Sequence, residues 1–449
     1  MNLGAKHVWN GFALAVCFAA VFAPRAAVAK PQAAELREEY TRLSEAHAAA
    51  TSGWRPVPPA TGSLVFIAPD QYSLAAPTDD RYREHRNRYA DALFALAEQA
   101  AEVSELSLAF QWATEAVREN PNHAEGRRVL GDERRDGQWL TPYAARMAAA
   151  GKRWDPRRGW VAIDGQATPR AASKDRWQVR TDHFQVTSDL SLEAAAGLAA
   201  RLEGLYQVWR QLFAGFGYSE REVRELFAGQ RSPRERNRPF RVFLHRDRDT
   251  YNAALARRQP RIGESLGIYF DRDREAHFFA GDEQNPGTLF HEAVHQLFFE
   301  SRPAARNVGG IGNFWIIEGI ATYFESLAEH VDPVAGLYYT IGESDRGRLP
   351  AARERLLQED FYVPLAQVTN WSKHDLQRQP ELAKIYSQSA GLSAFLMDGA
   401  GTRYREPLVR YLQAVYAGRD DAQTLEKLTG RSLEELDAEY RQFLQSLPE

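Results

Sequence analysis

Asn285-Pro-Gly-Thr-Leu-Phe-His291-Glu-Ala-Val-His295-Gln-Leu-Phe-Phe-Glu300 opens with a capping residue and a first-turn proline, a combination that starts a helix. Pro303 prevents that helix from running much past Glu300. Leu289, Phe290, Ala293, Val294, Leu297 and Phe298 make it largely apolar, hence buried. His291 and His295 stand four residues apart, so their imidazoles share one face about one turn apart and can grip a single ion. Glu292 flanks them, free to take a proton from water; this is the HExxH arrangement. A surface helix whose histidines pair with neighbouring acids would show the same spacing, but its faces would not be this apolar.

Downstream, Asn313-Phe-Trp-Ile-Ile-Glu318-Gly-Ile-Ala-Thr-Tyr-Phe-Glu325 reads as a second capped helix. Its apolar stripe of Phe314, Ile317, Ala321 and Phe324 leaves Glu318 beside the packed face, where a carboxylate needs a partner. A zinc site of three protein ligands with water at the fourth position supplies one, the alternative being a salt bridge to arginine. Gly319 is expected to let this helix approach the first closely. Thr322 and Glu325, one and two turns beyond Glu318, are expected partners for the ligand histidines.

Around these helices the hydrophobic period changes. Trp177-Gln-Val-Arg and His183-Phe-Gln-Val-Thr-Ser alternate like two strands, with Thr181-Asp182 between them as a turn. A long amphipathic helix is predicted from Leu192 to about Phe213, then strands at Phe240 to His245, Leu266 to Phe270 and Ala276 to Ala280. The last two flank a charged hairpin loop, Asp271 to Glu275. Everything beyond Pro286 reads as helix and connector, ending in the capping box Ser432-Leu-Glu-Glu435. The expected class is α+β, a small sheet followed by the motif helices and a helical C-terminal part.

From Pro31 to about Ala150 the pattern is mostly helical, with stretches at 31–50, 81–103 and 105–119 and a short strand-like run from Ser63 to Ala68. Leu106 to Gly131 resembles one tetratricopeptide-type helix hairpin, a single unit with no array. Gly137 to Trp160, rich in Trp, Arg, Pro and Gly, reads as an irregular wrap. A domain boundary near Lys174 separates an accessory region, 30–174, from a catalytic region, 175–449.

The chain's 449 residues allow two or three compact units, and 44% hydrophobic and 26% charged residues are those of a folded protein. Lys6, the apolar stretch Gly11 to Ala23 and Ala27-Val28-Ala29 read as a secretory signal over residues 1–29, the apolar stretch itself being too short to span a bilayer. Cleavage there would leave no stable membrane insertion and a secreted or periplasmic protein. It would also remove Cys17, the only cysteine, so that a bound metal must rely on His and carboxylate ligands. Two of the 56 basic residues and none of the 60 acidic ones would go with it, taking the balance from −4 to −6, against a nucleic-acid partner. The densest basic run, Arg231 to Arg241, has five arginines with Glu235 interleaved and reads as a solvated loop.

The pairing of HExxH with Trp315-Ile-Ile-Glu318-Gly319 resembles the gluzincin peptidases, which place a W-x-x-E-G glutamate on a following helix. More narrowly, His291-Glu-Ala-Val-His-Gln296, that helix and the later Tyr386-Ser-Gln-Ser389 resemble a bacterial family of peptidase-MA-like proteins, over about Arg176 to Leu447. The resemblance implies a zincin-like catalytic domain with one Zn2+ per chain, His291, His295 and Glu318 as ligands and Glu292 as general base. It also implies an oxyanion donor downstream. Tyr386 is the candidate, although Ile385, Tyr386, Leu392 and Phe395 also make an ordinary buried face, and Tyr323 or Tyr269 could point into the same cleft. Two departures stand out: 22 residues separate His295 from Glu318, more than in the aminopeptidase branch, and no Gly-x-Met-Glu-Asn sequence is present to bind a free amino terminus. The expected function is an exported zinc-dependent hydrolase of peptides or proteins, with an endopeptidase favoured because an exposed strand before the motif helix could pair with an extended peptide. A secreted scaffold with an inert zinc site, its N-terminal helices docking a protein partner, is the competing reading; a hydrolase of non-peptide amide or ester bonds is another. The intact Glu292, unnecessary for holding metal, favours catalysis.

Overall fold

The computed structural model describes residues 32–52, 64–65, 79–163, 176–234, 238–283, 285–332 and 336–448. The signal segment and the boundary at Lys174 lie outside these residues. Among them no helix is long and apolar enough to cross a membrane.

Alternation builds the central sheet from β1 (Trp177–Arg180), β2 (Phe184–Ser188), β3 (Phe240–His245), β4 (Ile268–Phe270) and β5 (Glu275–Phe279). The order is β1-β2-β3-β5-β4, with the three inner strands parallel and the two outer ones antiparallel to their neighbours. Register aligns Phe184 with Phe240, Val186 with Val242 and Val242 with Ala276, so one face carries a continuous row of buried apolar side chains. Onto that row pack α1 (Leu192–Leu212), the crossover that parallel β2 and β3 require, and α2 (Pro286–Ser301). Among the described residues strand β4 pairs only with β5, which leaves it at the sheet edge beneath α2.

Two further helices complete this core, α3 (Phe314–Phe324) and α4 (Leu382–Asp398), which lie side by side. Gly319 makes that approach possible, but its neighbour differs from the expected one. A Cβ there would lie 2.6 Å from Ser393 Oγ and 2.8 Å from the Ser389 carbonyl oxygen, both on α4 and not on α2. The reason is rotational: adjacent helix positions are about 100° apart, so Glu318 facing α2 turns Gly319 toward α4.

The C-terminal part is not helix and connector alone. Ala328–Asp332 and Gly336–Thr340 form an antiparallel hairpin, extended by Leu64–Val65 into a second, three-stranded sheet. Ala328-Glu-His-Val-Asp332 shows little of the composition that marks a strand, and its pairing partner makes it one. Nor is 137–160 an irregular wrap. Two small hairpins, Glu133–Arg135 with Gln138–Leu140 and Lys152–Asp155 with Gly159–Ala162, flank the helix Pro142–Ala149. Asp136-Gly137, both at positive φ, is the two-residue turn that such a pair demands.

The N-terminal helices Ala33–Thr51, Asp80–Glu102, Leu106–Glu119 and Ala124–Leu130 share a second core, to which Ala214, Val223, Leu226 and Phe227 also contribute. They are stitched to the rest: Ser107 donates its backbone N–H to Glu406 Oε1 at 2.6 Å and its hydroxyl to the Leu212 carbonyl at 2.7 Å. In the basic run, Arg231 and Arg234 pair with Glu222 and Arg241 with Glu275. The capping box at Ser432 and Glu435 opens the last helix, Leu433–Ser446.

Candidate metal centre

Helix α2 begins as its sequence implies: Asn285 is extended, its side-chain oxygen accepts the Thr288 N–H at 2.8 Å, and Pro286 fills the first turn. With Leu289, Phe290, Ala293, Val294 and Leu297 buried, His291 and His295 are turned away from the sheet row. The start of α3 is set otherwise. Asn313 sits in the left-handed region at φ 55°, and its side chain does not cap its own helix. Instead it donates to Asp420 at 2.8 Å and accepts from Tyr411, so C-terminal elements hold the entry of α3.

This delivers Glu318 to the two histidines. His291 Nε2 and His295 Nε2 lie 3.2 Å apart, and Glu318 Oε2 is 3.5 and 3.7 Å from them. Among the described residues these three form the one group of His, Cys, Asp and Glu side chains whose donor atoms converge closely enough to hold a metal ion. Tetrahedral ligands at zinc–nitrogen and zinc–oxygen bond lengths would stand about 3.3 Å apart, so the observed triangle fits. The electrostatics also favour positive charge at this point. Burial disfavours the His291 imidazolium, yet Glu318 and Glu325 outweigh it and raise its pKa to about 10. Burial raises Glu318 in turn, but His295 and His291 hold it well below the usual carboxylate range.

Glu325 accepts from His291 Nδ1 at 3.0 Å, which leaves Nε2 as the atom in the triangle. Thr322 does not reach a histidine; its hydroxyl bonds back to the Glu318 and Gly319 carbonyls within its own helix. Glu292 stands outside the donor group, and its Oε2 accepts the Tyr269 backbone N–H of edge strand β4 at 2.9 Å. Burial raises its pKa, partly offset by His291 and His295.

The three tyrosines separate cleanly. Tyr323 donates to Asp398 at 2.7 Å and Tyr269 reaches Glu300 at 3.4 Å, both away from the triangle. Tyr386 lies near Glu318, and burial, then that carboxylate, push its phenol up. Elsewhere in Tyr386-Ser-Gln-Ser389, Gln388 clamps the Val363 backbone through both amide atoms, at 2.9 and 2.6 Å, a structural contact.

Sequence reasoning missed two parts of the site, the Tyr269 N–H and Arg348. Arg348 pairs with Glu325 at 2.8 Å and lies 5.8 Å from the Tyr386 ring centroid. It reaches the centre by way of the unrecognised hairpin, so no local spacing pointed to it. No protein-family model matches the chain, and neither does any curated protein.

Proposed function

We propose that this protein is an exported zinc-dependent hydrolase of the gluzincin type that cleaves peptide bonds, an endopeptidase in preference to an exopeptidase. In this reading His291, His295 and Glu318 hold one Zn2+, residues 175–449 form a zincin-like domain, and the N-terminal region with its tetratricopeptide-like hairpin offers a platform for a protein partner. The observation that carries it is the convergence of three donor atoms from α2 and α3, with Glu292 beside them yet not among them.

When bound, zinc supplies a Lewis acid that polarises a carbonyl and acidifies water. Glu292, with Oε2 held by the Tyr269 N–H, receives the proton of the attacking water and returns it to the leaving amine. The Tyr386 hydroxyl, already beside Glu318, donates to the substrate carbonyl oxygen as it gains charge. Among the described residues no strand lies outside β4, so an extended peptide can lie along that edge beside the Tyr269 N–H that Glu292 engages.

Elemental analysis of the purified protein, without added metal, tests the centre. About one zinc per chain is expected in the wild type and none in His291→Ala or Glu318→Ala, because two ligands do not hold a three-ligand site. Equal metal in all three proteins, or none in any, would refute the ligand assignment and favour the scaffold reading. A peptide library follows, and ester hydrolysis without peptide cleavage would redirect the substrate class. Tyr386→Phe is expected to keep its zinc and lose turnover by roughly 10²-fold, the effect of removing one oxyanion donor. Full turnover in that variant would remove Tyr386 from the mechanism.

A further inference from the structure

Arg348 occupies an unusual place for an ion-paired surface arginine. Its Nε donates to Glu325 Oε2 at 2.8 Å and its Nη2 to Oε1 at 3.3 Å, so one guanidinium edge engages both carboxylate oxygens. Oε1 is also the oxygen that meets His291 Nδ1 at 3.0 Å. The loop that brings Arg348 here touches the chain beside Glu325 twice. Gly342 donates its N–H to Ser326 Oγ at 2.9 Å, and Gly347, at φ +58°, runs so close that a Cβ would lie 2.9 Å from the Ser326 nitrogen. The hairpin Ala328–Thr340 and its return loop thus act as an arm that sets Arg348 against Glu325.

Stability alone does not account for the Arg348–Glu325 pair. The Arg348 side chain is 37% exposed, and an ion pair at that exposure contributes little to folding. Its geometric effect is larger. A glutamate held by one hydrogen bond can rotate about its side-chain torsions, whereas one gripped along both oxygens keeps a fixed plane. With that plane fixed, Glu325 Oε1 stays on the His291 Nδ1 proton and the ring keeps Nε2 on the donor triangle.

We propose that Arg348 is a positioning residue for the metal centre: acting through Glu325, it fixes the His291 ring and thereby tightens metal binding. The inference rests on the zinc-site reading above, and its test separates the two. Zinc dissociation constants are measured by competition with a chromophoric chelator, with thermal unfolding of the metal-free proteins alongside. Arg348→Ala is expected to bind zinc about tenfold more weakly, the lower end of the effect of losing an outer partner of a ligand. Arg348→Lys should fall between it and the wild type, since an ammonium keeps the charge and loses the two-point grip. The metal-free melting temperature should not change. In a Glu325→Gln background, adding Arg348→Ala should loosen zinc no further, because the carboxylate that transmits the effect is gone. Arg346→Ala removes an exposed pair with Glu343 on the same loop and should bind as the wild type does. Wild-type affinity in Arg348→Ala, equal loosening with and without Glu325, or the same loss in Arg346→Ala would each overturn the proposal while leaving the zinc site standing. A wild type that takes up no zinc would overturn the zinc-site reading, and this inference with it.

Discussion

Glu292→Gln is expected to retain about one zinc per chain and to lose turnover by a factor on the order of 10²–10⁴, the range for removing a general base. The substitution preserves size, and a glutamine carbonyl can still accept the Tyr269 N–H that now holds Oε2 at 2.9 Å. Helix α2 and the donor triangle therefore have no cause to move, since Glu292 contributes no atom to the group formed by His291, His295 and Glu318. What disappears is the capacity to accept a proton. Burial already raises the Glu292 pKa, with His291 and His295 partly opposing it, and a base moved toward neutral pH transfers protons with less mismatch. Zinc content and kcat on a peptide that the wild type cleaves decide the matter together. Undiminished turnover would end the assignment of Glu292 as base, and loss of zinc along with activity would make it part of the metal-holding structure instead.

Gly319→Ala should damage the protein at a buried position packed against α4. The added methyl would meet Ser393 Oγ at 2.6 Å and the Ser389 carbonyl oxygen at 2.8 Å. The serine side chain can rotate away, but the carbonyl belongs to α4 and cannot, so α3 and α4 must separate. Overpacking of this kind costs about 1–3 kcal/mol, and Glu318, the next residue, moves with the helix it sits on. The expected result is a melting temperature lower by several degrees together with weakened zinc binding. Gly197→Ala, in α1 with nothing near its added Cβ, supplies the contrast and should be neutral or slightly stabilising. If Gly319→Ala melted with the wild type, the close α3–α4 approach would not be the reason for glycine there.

Gly319 shows where reading the chain alone falls short. That a small residue follows Glu318 is plain in the sequence, and that two helices meet closely there follows from it. Which helix meets it depends on how α3 is rolled, and Asn313, Tyr411 and Asp420 set that roll from segments about a hundred residues apart. The hairpin Ala328–Thr340 was lost for a related reason. Its first strand is defined by the partner it pairs with, and pairing leaves little trace in a five-residue run containing Glu, His and Asp. Asp136-Gly137, by contrast, was a legible turn whose flanking strands were too short to register as alternating.

The sequence by itself determined the α2 helix with its proline start, the two histidines on one side of it, and Glu318 as the carboxylate waiting on the next helix. Each of these is a matter of spacing along one element, and helical geometry is local. Only the tertiary structure decided that Tyr386, and not Tyr269 or Tyr323, stands beside Glu318, that Glu325 and not Thr322 meets His291, that β4 is the sheet edge above which Glu292 is held, and that Arg348 belongs to the centre. Those outcomes depend on how separate elements roll and pack against one another. Such contacts join residues tens to hundreds of positions apart, and no hydrophobic period or motif spacing within a single element encodes them.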